Sequence, residues 1–312
     1  MAFKHTKLPE SYYQRLDHYW LGLATYWQHS NRFEILPNWI ETNFESEVVK
    51  ILSERLRDGD TIGDQSLQVL GVGTGDGYQE MVQMKILKSN FSQISATVIE
   101  PSTEQITKYQ HAVAKSCDLG GVDYIWQNQT FQDYMRSPGA KQKYHFISIV
   151  DVMYFMGDAE ECLRNLLEPG GMIFMIVQTE HTGVGNLVKT FPHLAVEEQI
   201  PRSSESGVAK RNYLINSAVV KTALTKLQFT YTQSAFLEIA DLTYCFTHAG
   251  TPVARLLLDM ITTKKHFKES VSDEVFNQVM EYLKRNTRIE KSDQGDDVYY
   301  FDTECEVLLI SK

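Results

Sequence analysis

Residues 67–77 read Leu-Gln-Val-Leu-Gly-Val-Gly-Thr-Gly-Asp-Gly. A short apolar run gives way to glycine at alternate positions: Gly71, Gly73, Gly75 and Gly77. Its length, its apolar character and its glycine boundary predict a buried strand. Without side chains, the turn that follows lets another group approach the backbone closely. A helical pattern resumes over 78–87, and a helix start presents unpaired N–H groups beside that turn. Strand, bare turn and helix predict a nucleotide-type ligand at the edge of an α/β sheet.

The spacing narrows the ligand. A dinucleotide fingerprint needs a third glycine three places after the second. Counted from Gly71 that place is Asp76, and from Gly73 it is Tyr78. The alternating form instead resembles the glycine motif of S-adenosylmethionine (SAM) methyltransferases. A second apolar run, Thr97-Val98-Ile99-Glu100, ends on a carboxylate 23 residues after Gly77. An acid there is placed to accept hydrogen bonds from ribose hydroxyls.

Composition excludes several other classes. The 312 residues carry a formal charge of −10, which argues against nucleic acid and anionic membrane as partners. Apolar residues make up 43% and charged ones 22%, enough for a sizeable globular core. Cys117, Cys162, Cys245 and Cys305 form no C-x-x-C, so reduced thiols are expected, with neither zinc site nor disulfide framework. His181 has no second ligand at helical spacing, and no metal is expected. The first residues lack the apolar centre of a signal peptide, and no run approaches the ~20 residues of a membrane span. A cytoplasmic monomer is the expectation.

From residue 67 onward, strands and helices alternate. Strands are expected at 67–72, 96–100, 122–127, 144–150 and 172–178, with helices between them. Near-continuous apolar strands in a βαβα rhythm imply a parallel sheet covered on both faces. Two later strands, 229–236 and 304–311, complete a seven-stranded, mostly parallel Rossmann-like methyltransferase sheet whose last strand enters antiparallel. The aromatic-rich segment 1–56, with Pro37 expected to separate two helices, forms an N-terminal lid. The core is expected over 57–247, a helical insertion over 248–297 and the closing strand over 298–312. Residues 181–207, rich in Gly and Ser, are expected to be a loop with one short helix.

Val98–Gln110 (Val-Ile-Glu-Pro-Ser-Thr-Glu-Gln-Ile-Thr-Lys-Tyr-Gln), Trp126, Tyr154-Phe155 and residues 214–222 carry a resemblance to the histamine N-methyltransferase family, running from about Tyr19 to the C-terminus. The resemblance implies a SAM-dependent enzyme with a small helical substrate region. It implies that Gly73 is the first cofactor glycine, that Glu100 holds the ribose and that Gln105 meets the adenosine. Val150 stands for a cofactor-side isoleucine, and Phe131 for a serine at the adenine, where the neighbouring Thr130 is the alternative. On the acceptor side it implies roles for Tyr19, Tyr154 and Phe155, with Asp151 in place of a glutamine and Val184 and Val188 in place of two tryptophans. Arg32 falls where the family has a glutamate that holds the substrate ammonium, unless a slip brings in Glu34. Thr303, or Asp302, falls where an asparagine reaches the imidazole.

Methyl transfer from a sulfonium is an in-line displacement governed by proximity and orientation. Asp151 and Tyr154 are the expected catalytic pair, Asp151 orienting an N–H or taking its proton. The leading expectation is methyl transfer to a nitrogen of a small imidazole or amine. Because an arginine in place of a glutamate inverts the charge that a ligand meets, the alternative is a carboxylated acceptor such as histidine or carnosine. A catalytically silent SAM-binding module is the reading from another class.

Overall fold

The computed structural model describes residues 18–58, 66–156, 159–164, 167–194, 199–200, 209–210 and 215–311. Five strands follow one another in parallel: β1 (Leu67–Val72), β2 (Ile94–Ile99), β3 (Val122–Gln127), β4 (Tyr144–Val150) and β5 (Leu167–Gln178). The chain returns later as β8 (Thr230–Asp241) and β10 (Asp297–Ser311). The sheet runs β3-β2-β1-β4-β5-β10-β8, with β10 antiparallel to both neighbours. β6 (Gln199–Ile200) and β7 (Ala209–Lys210) pair only with each other.

Alternating residues of each central strand enter two different cores, which is why these strands read as unbroken apolar runs. Leu70, Val72, Ile147, Ile149, Ile173 and Met175 pack under one layer of helices. That layer holds α6 (Phe131–Arg136), α7 (Ala159–Arg164) and α9 (Ser217–Leu227). Val69, Phe146, Phe174 and Ile176 pack on the other face. Helices α2 (Arg32–Phe44), α3 (Lys50–Asp58) and α4 (Tyr78–Asn90) cover it. Helix α5 (Thr103–Lys115) joins β2 to β3.

Four details differ from the sequence expectations. Pro37 lies inside α2 rather than between helices. The break comes at residues 29–31, after α1 (His18–Gln28). Pro37 lacks an N–H, which frees the Phe33 carbonyl one turn earlier, and the Tyr78 hydroxyl points at that carbonyl (3.4 Å). Strand β5 begins at Leu167 and takes in Pro169, Gly170 and Gly171. The pairing register with β4 shifts there, between Tyr144 and Phe146. Strands β8 and β10 are longer than expected because they go on pairing past the central sheet, Tyr300 opposite Asp241, where Ala240 and Phe301 are buried in a third core. An eighth strand, β9 (Thr287–Lys291), hairpins onto β10 where a helical end was expected. Its residues are mostly exposed, so no apolar alternation announces it.

Between β5 and α9 stands α8 (Gly183–Thr190). Much of the expected loop, 195–198 and 201–208, lies outside the described residues, as do 1–17 of the expected lid. Between β8 and β9 come α10 (Thr243–Thr247), α11 (Pro252–Ile261), α12 (Phe267–Ser270) and α13 (Asp273–Arg285). Tyr26, Leu257, Ile261, Phe267, Leu283 and Phe301 form their common core, so α1 belongs to the same body as the late helices.

Candidate active site at the switch point of the sheet

Strand order reverses between β1 and β4, and ligands of such sheets bind beyond the carboxyl ends at that point. The turn after β1 and the turn after β4 meet there: a Cβ added at Gly73 would lie 2.3 Å from Val152. The four glycines serve different ends. A Cβ at Gly71 would strike the Glu80 carboxyl at 2.2 Å, and one at Gly77 the Tyr109 ring at 2.1 Å. Gly71, Gly73 and Gly77 are therefore bare because the protein packs against them. Gly75, at φ 58°, has nothing within 4 Å of its missing side chain.

Beside Gly75 stands Glu100, nearly fully buried. Its Oε2 accepts the Gly75 N–H (2.9 Å) and its Oε1 the Ser102 N–H (2.8 Å). A carboxylate has about four acceptor positions, so each oxygen keeps one for a ligand. Burial pushes the Glu100 pKa up to about 7, against the pull of those two N–H groups. Behind the turn, burial alone raises Glu80 to about 8, and neither of its oxygens has a hydrogen-bond partner. Gln105 is buried in the first turn of α5, which Ser102 caps by accepting its N–H (3.3 Å). Thr130 caps α6 through the Asp133 N–H (3.1 Å), and Phe131 sits in the core with Val72 and Ile99. Val150 ends β4 against the opposite core.

The far side of the crevice is charged. Asp151 follows β4 in a left-handed conformation, φ 51°, uncommon for a residue with a side chain. Its carboxylate pairs with Arg32 and accepts the Tyr154 hydroxyl (3.2 Å). Arg32 also donates to Glu238 Oε2 (2.7 Å) on β8. The 29–31 turn is stitched to β8: the Asn31 N–H donates to the Ile239 carbonyl (3.0 Å). In return the Ile239 N–H donates to Asn31 Oδ1 (2.8 Å). That pair of hydrogen bonds sets Arg32 opposite Glu238. Burial works against the Arg32 charge and is outweighed by Glu238 together with Cys305 and Tyr154, so its pKa stands above the ordinary value.

Two carboxylates share one guanidinium, leaving one negative charge in excess. Tyr26 is fully enclosed near Glu238; burial first, then the Glu238 charge, holds its pKa far above normal. Glu238 Oε1 and Thr303 Oγ1 are buried without a hydrogen-bond partner. A cleft of about 530 Å³, its open mouth included, adjoins this cluster. Tyr26, Tyr154, Val184, Val188, Met260 and Thr263 are among its walls.

The expected residues are thus brought together unevenly. Asp151, Tyr154 and Arg32 form one hydrogen-bonded group, and Val184 and Val188 line the adjoining cleft. Phe155 packs its ring edge-on to Tyr154, with centroids 6.3 Å apart. Thr303 lies fully buried under Gly183, whose added Cβ would sit 2.1 Å from its hydroxyl. Tyr19 falls on α1, and its side chain lies outside the described residues. Glu34 lies in the first turn of α2 and is exposed. Arg32 does not meet a ligand as a free cation, because both of its partners are the protein's own. Glu238 and Tyr26 were not anticipated. The signal for Glu238 was its parity: it falls in step with Phe236 and Ala240, the inward positions of β8.

No family model matches the chain. Histamine N-methyltransferase of Danio rerio is 26% identical over 256 residues, 80% of this chain and 82% of that protein. Histamine N-methyltransferase of Xenopus tropicalis is 24% identical over 292 residues, 91% of each chain. Over most of its length the chain is similar to histamine N-methyltransferases. A third relative, carnosine N-methyltransferase 2 of Gallus gallus, is 26% identical over 213 residues, 66% of this chain and 62% of that protein. Among the described residues no helix is long and apolar enough to cross a membrane.

Proposed function

We propose that the protein is a SAM-dependent N-methyltransferase of a small imidazole or amine. One observation carries the reading: open backbone at Gly75 lies directly beside a buried carboxylate whose remaining acceptor positions are free. A nucleoside fits that pair, its sugar hydroxyls on Glu100 and its edge over Gly75, with Gln105 and Thr130 nearby. When bound, SAM supplies an electrophilic methyl group on a sulfonium. The protein's own part is to hold an acceptor nitrogen in line and to exclude water.

Asp151 is the residue to orient an acceptor N–H, since Arg32 and Tyr154 fix its carboxylate from two sides. Tyr154 reaches from that carboxylate into the cleft, and its ring offers a face to a cationic group. The excess negative charge of the cluster favours a cationic or neutral amine over a bare carboxylate. A carboxylated imidazole is the second reading, supported by the relative named for carnosine. The acidic charge of the whole chain supports small molecules rather than nucleic acid as substrates. The free thiols of Cys117, Cys245 and Cys305 support a cytoplasmic setting, and we take the protein to act as a monomer.

Turnover with a labelled methyl donor over histamine, histidine, carnosine and simple amines tests the reading. Methyl transfer to histamine exceeding that to histidine is expected. Preference for the carboxylated acceptors selects the second reading. No transfer to any acceptor, with the cofactor bound, contradicts both.

A further inference from the structure

Outside the crevice, one side chain from α1 meets two from the late helical region where α1 packs along α11. They are His18, Asp259 and His266, with one ligand atom from each within 4.8 Å of the others. Asp259 is buried, and its carboxylate is clamped. Oδ1 accepts the Phe267 N–H (2.8 Å), Oδ2 accepts the His266 N–H (2.9 Å), and Oδ2 also faces His18 Nε2 (2.7 Å). His266 adopts a left-handed backbone, φ 52°, which is strained for a residue with a side chain. That conformation turns its ring towards His18, with centroids 4.6 Å apart and planes at 53°.

A hydrogen bond between His18 and Asp259 accounts for only two of the three groups. The exposed His266 ring, brought to the same point at a conformational cost, completes a set of two imidazoles and one carboxylate. Such a set suits zinc, cobalt, nickel or copper, whereas magnesium and calcium take all-oxygen shells. The two backbone N–H groups on Asp259 are the outer partners that orient a ligating carboxylate.

We propose that His18, Asp259 and His266 form a binding site for a transition-metal dication, filled by zinc with solvent in the fourth position. This departs from the expectation of no metal, because His18 lies 241 residues before Asp259 and the set gives no spacing motif. Met260, beside Asp259, and Thr263 line the cleft from one wall, and Tyr26 on α1 lines it from another. A bound ion would fasten those walls together.

Calorimetric titration of tag-free, chelator-treated protein with zinc chloride tests the proposal. One ion per chain is expected. His18→Gln and His266→Gln should each weaken binding at least about tenfold, and His181→Gln, at an exposed histidine elsewhere, should not change it. His266 is solvent-exposed, so the metal-free melting temperature of His266→Gln should match the parent and separate loss of a ligand from loss of fold. Cobalt should give visible absorption bands of a low-symmetry site that vanish in His266→Gln. Absence of binding by the parent protein, or binding that survives both ligand variants, overturns the proposal.

Discussion

On the β1–β2 side of the crevice, the candidate residues come from one continuous stretch, Gly71 to Gln105. On the β4–β8 side, Arg32, Asp151, Glu238 and Thr303 come from four elements spread along the whole chain. The first side depends on backbone: bare glycines, N–H groups on a carboxylate, a helix start. The second depends on side-chain charge, with Asp151 and Glu238 both held by Arg32. Local sequence can write a backbone site, whereas a charge network exists only once the chain has folded. Substitutions on the two sides should therefore fail in different ways.

The sharpest contrast is Arg32→Ala. It strands Asp151 and Glu238 in the interior with no counter-charge, a loss of about 3–5 kcal/mol in urea unfolding. In whatever fraction stays folded, affinity for S-adenosylhomocysteine should stay within about threefold of the parent, because the partners of Arg32 are Asp151 and Glu238 and neither Gly75 nor Glu100. A large loss of that affinity would break the division between the two sides.

Gly77→Ala comes next. Its methyl group meets the buried Tyr109 ring and its backbone is left-handed, so overpacking and strain together cost about 3 kcal/mol, read as a lowered urea midpoint.

Glu80→Gln should act in the opposite direction. The folded chain keeps the Glu80 proton up to about pH 8, whereas an unfolded chain releases it near 4.5. The native state binds the extra proton across that window, so the contribution of Glu80 to stability falls as pH rises from about 4.5 to 8. The glutamine variant lacks that decline, and should exceed the parent by ~1–3 kcal/mol at pH 8 while matching it near pH 5.

The smallest effect is on cofactor affinity. Ribose hydroxyls need the ionised Glu100, whose pKa stands at about 7. Affinity for S-adenosylhomocysteine should be level above pH 7 and fall by up to about tenfold per unit below it. Glu100→Gln should bind weakly with no such slope.

What was legible follows the same division. The succession of the first five strands and the antiparallel return could be read from the apolar runs of 67–178 and 229–311, and the meeting of the glycine turn with Glu100 from the spacings within 67–100. Arg32 was legible as a position, but its partner was not, since Glu238 lies 206 residues away in an otherwise ordinary strand. The carboxylate-reading role for Arg32 followed from its charge alone; pairing with two of the protein's own acids changes what a ligand meets. Pro37 misled because a helix can absorb a proline when another group takes up the freed carbonyl. β9 was invisible because an exposed edge strand buries too little to impose a pattern.

Titration of Gly75→Ala with S-adenosylhomocysteine tests most directly whether a nucleoside lies over that turn. Its methyl group meets only open space, so the fold should lose no more than about 1–2 kcal/mol from the left-handed backbone. The parent should bind one ligand per chain, and the variant should lose binding by at least an order of magnitude while remaining folded. A folded Gly75→Ala protein that binds as tightly as the parent would contradict the assignment.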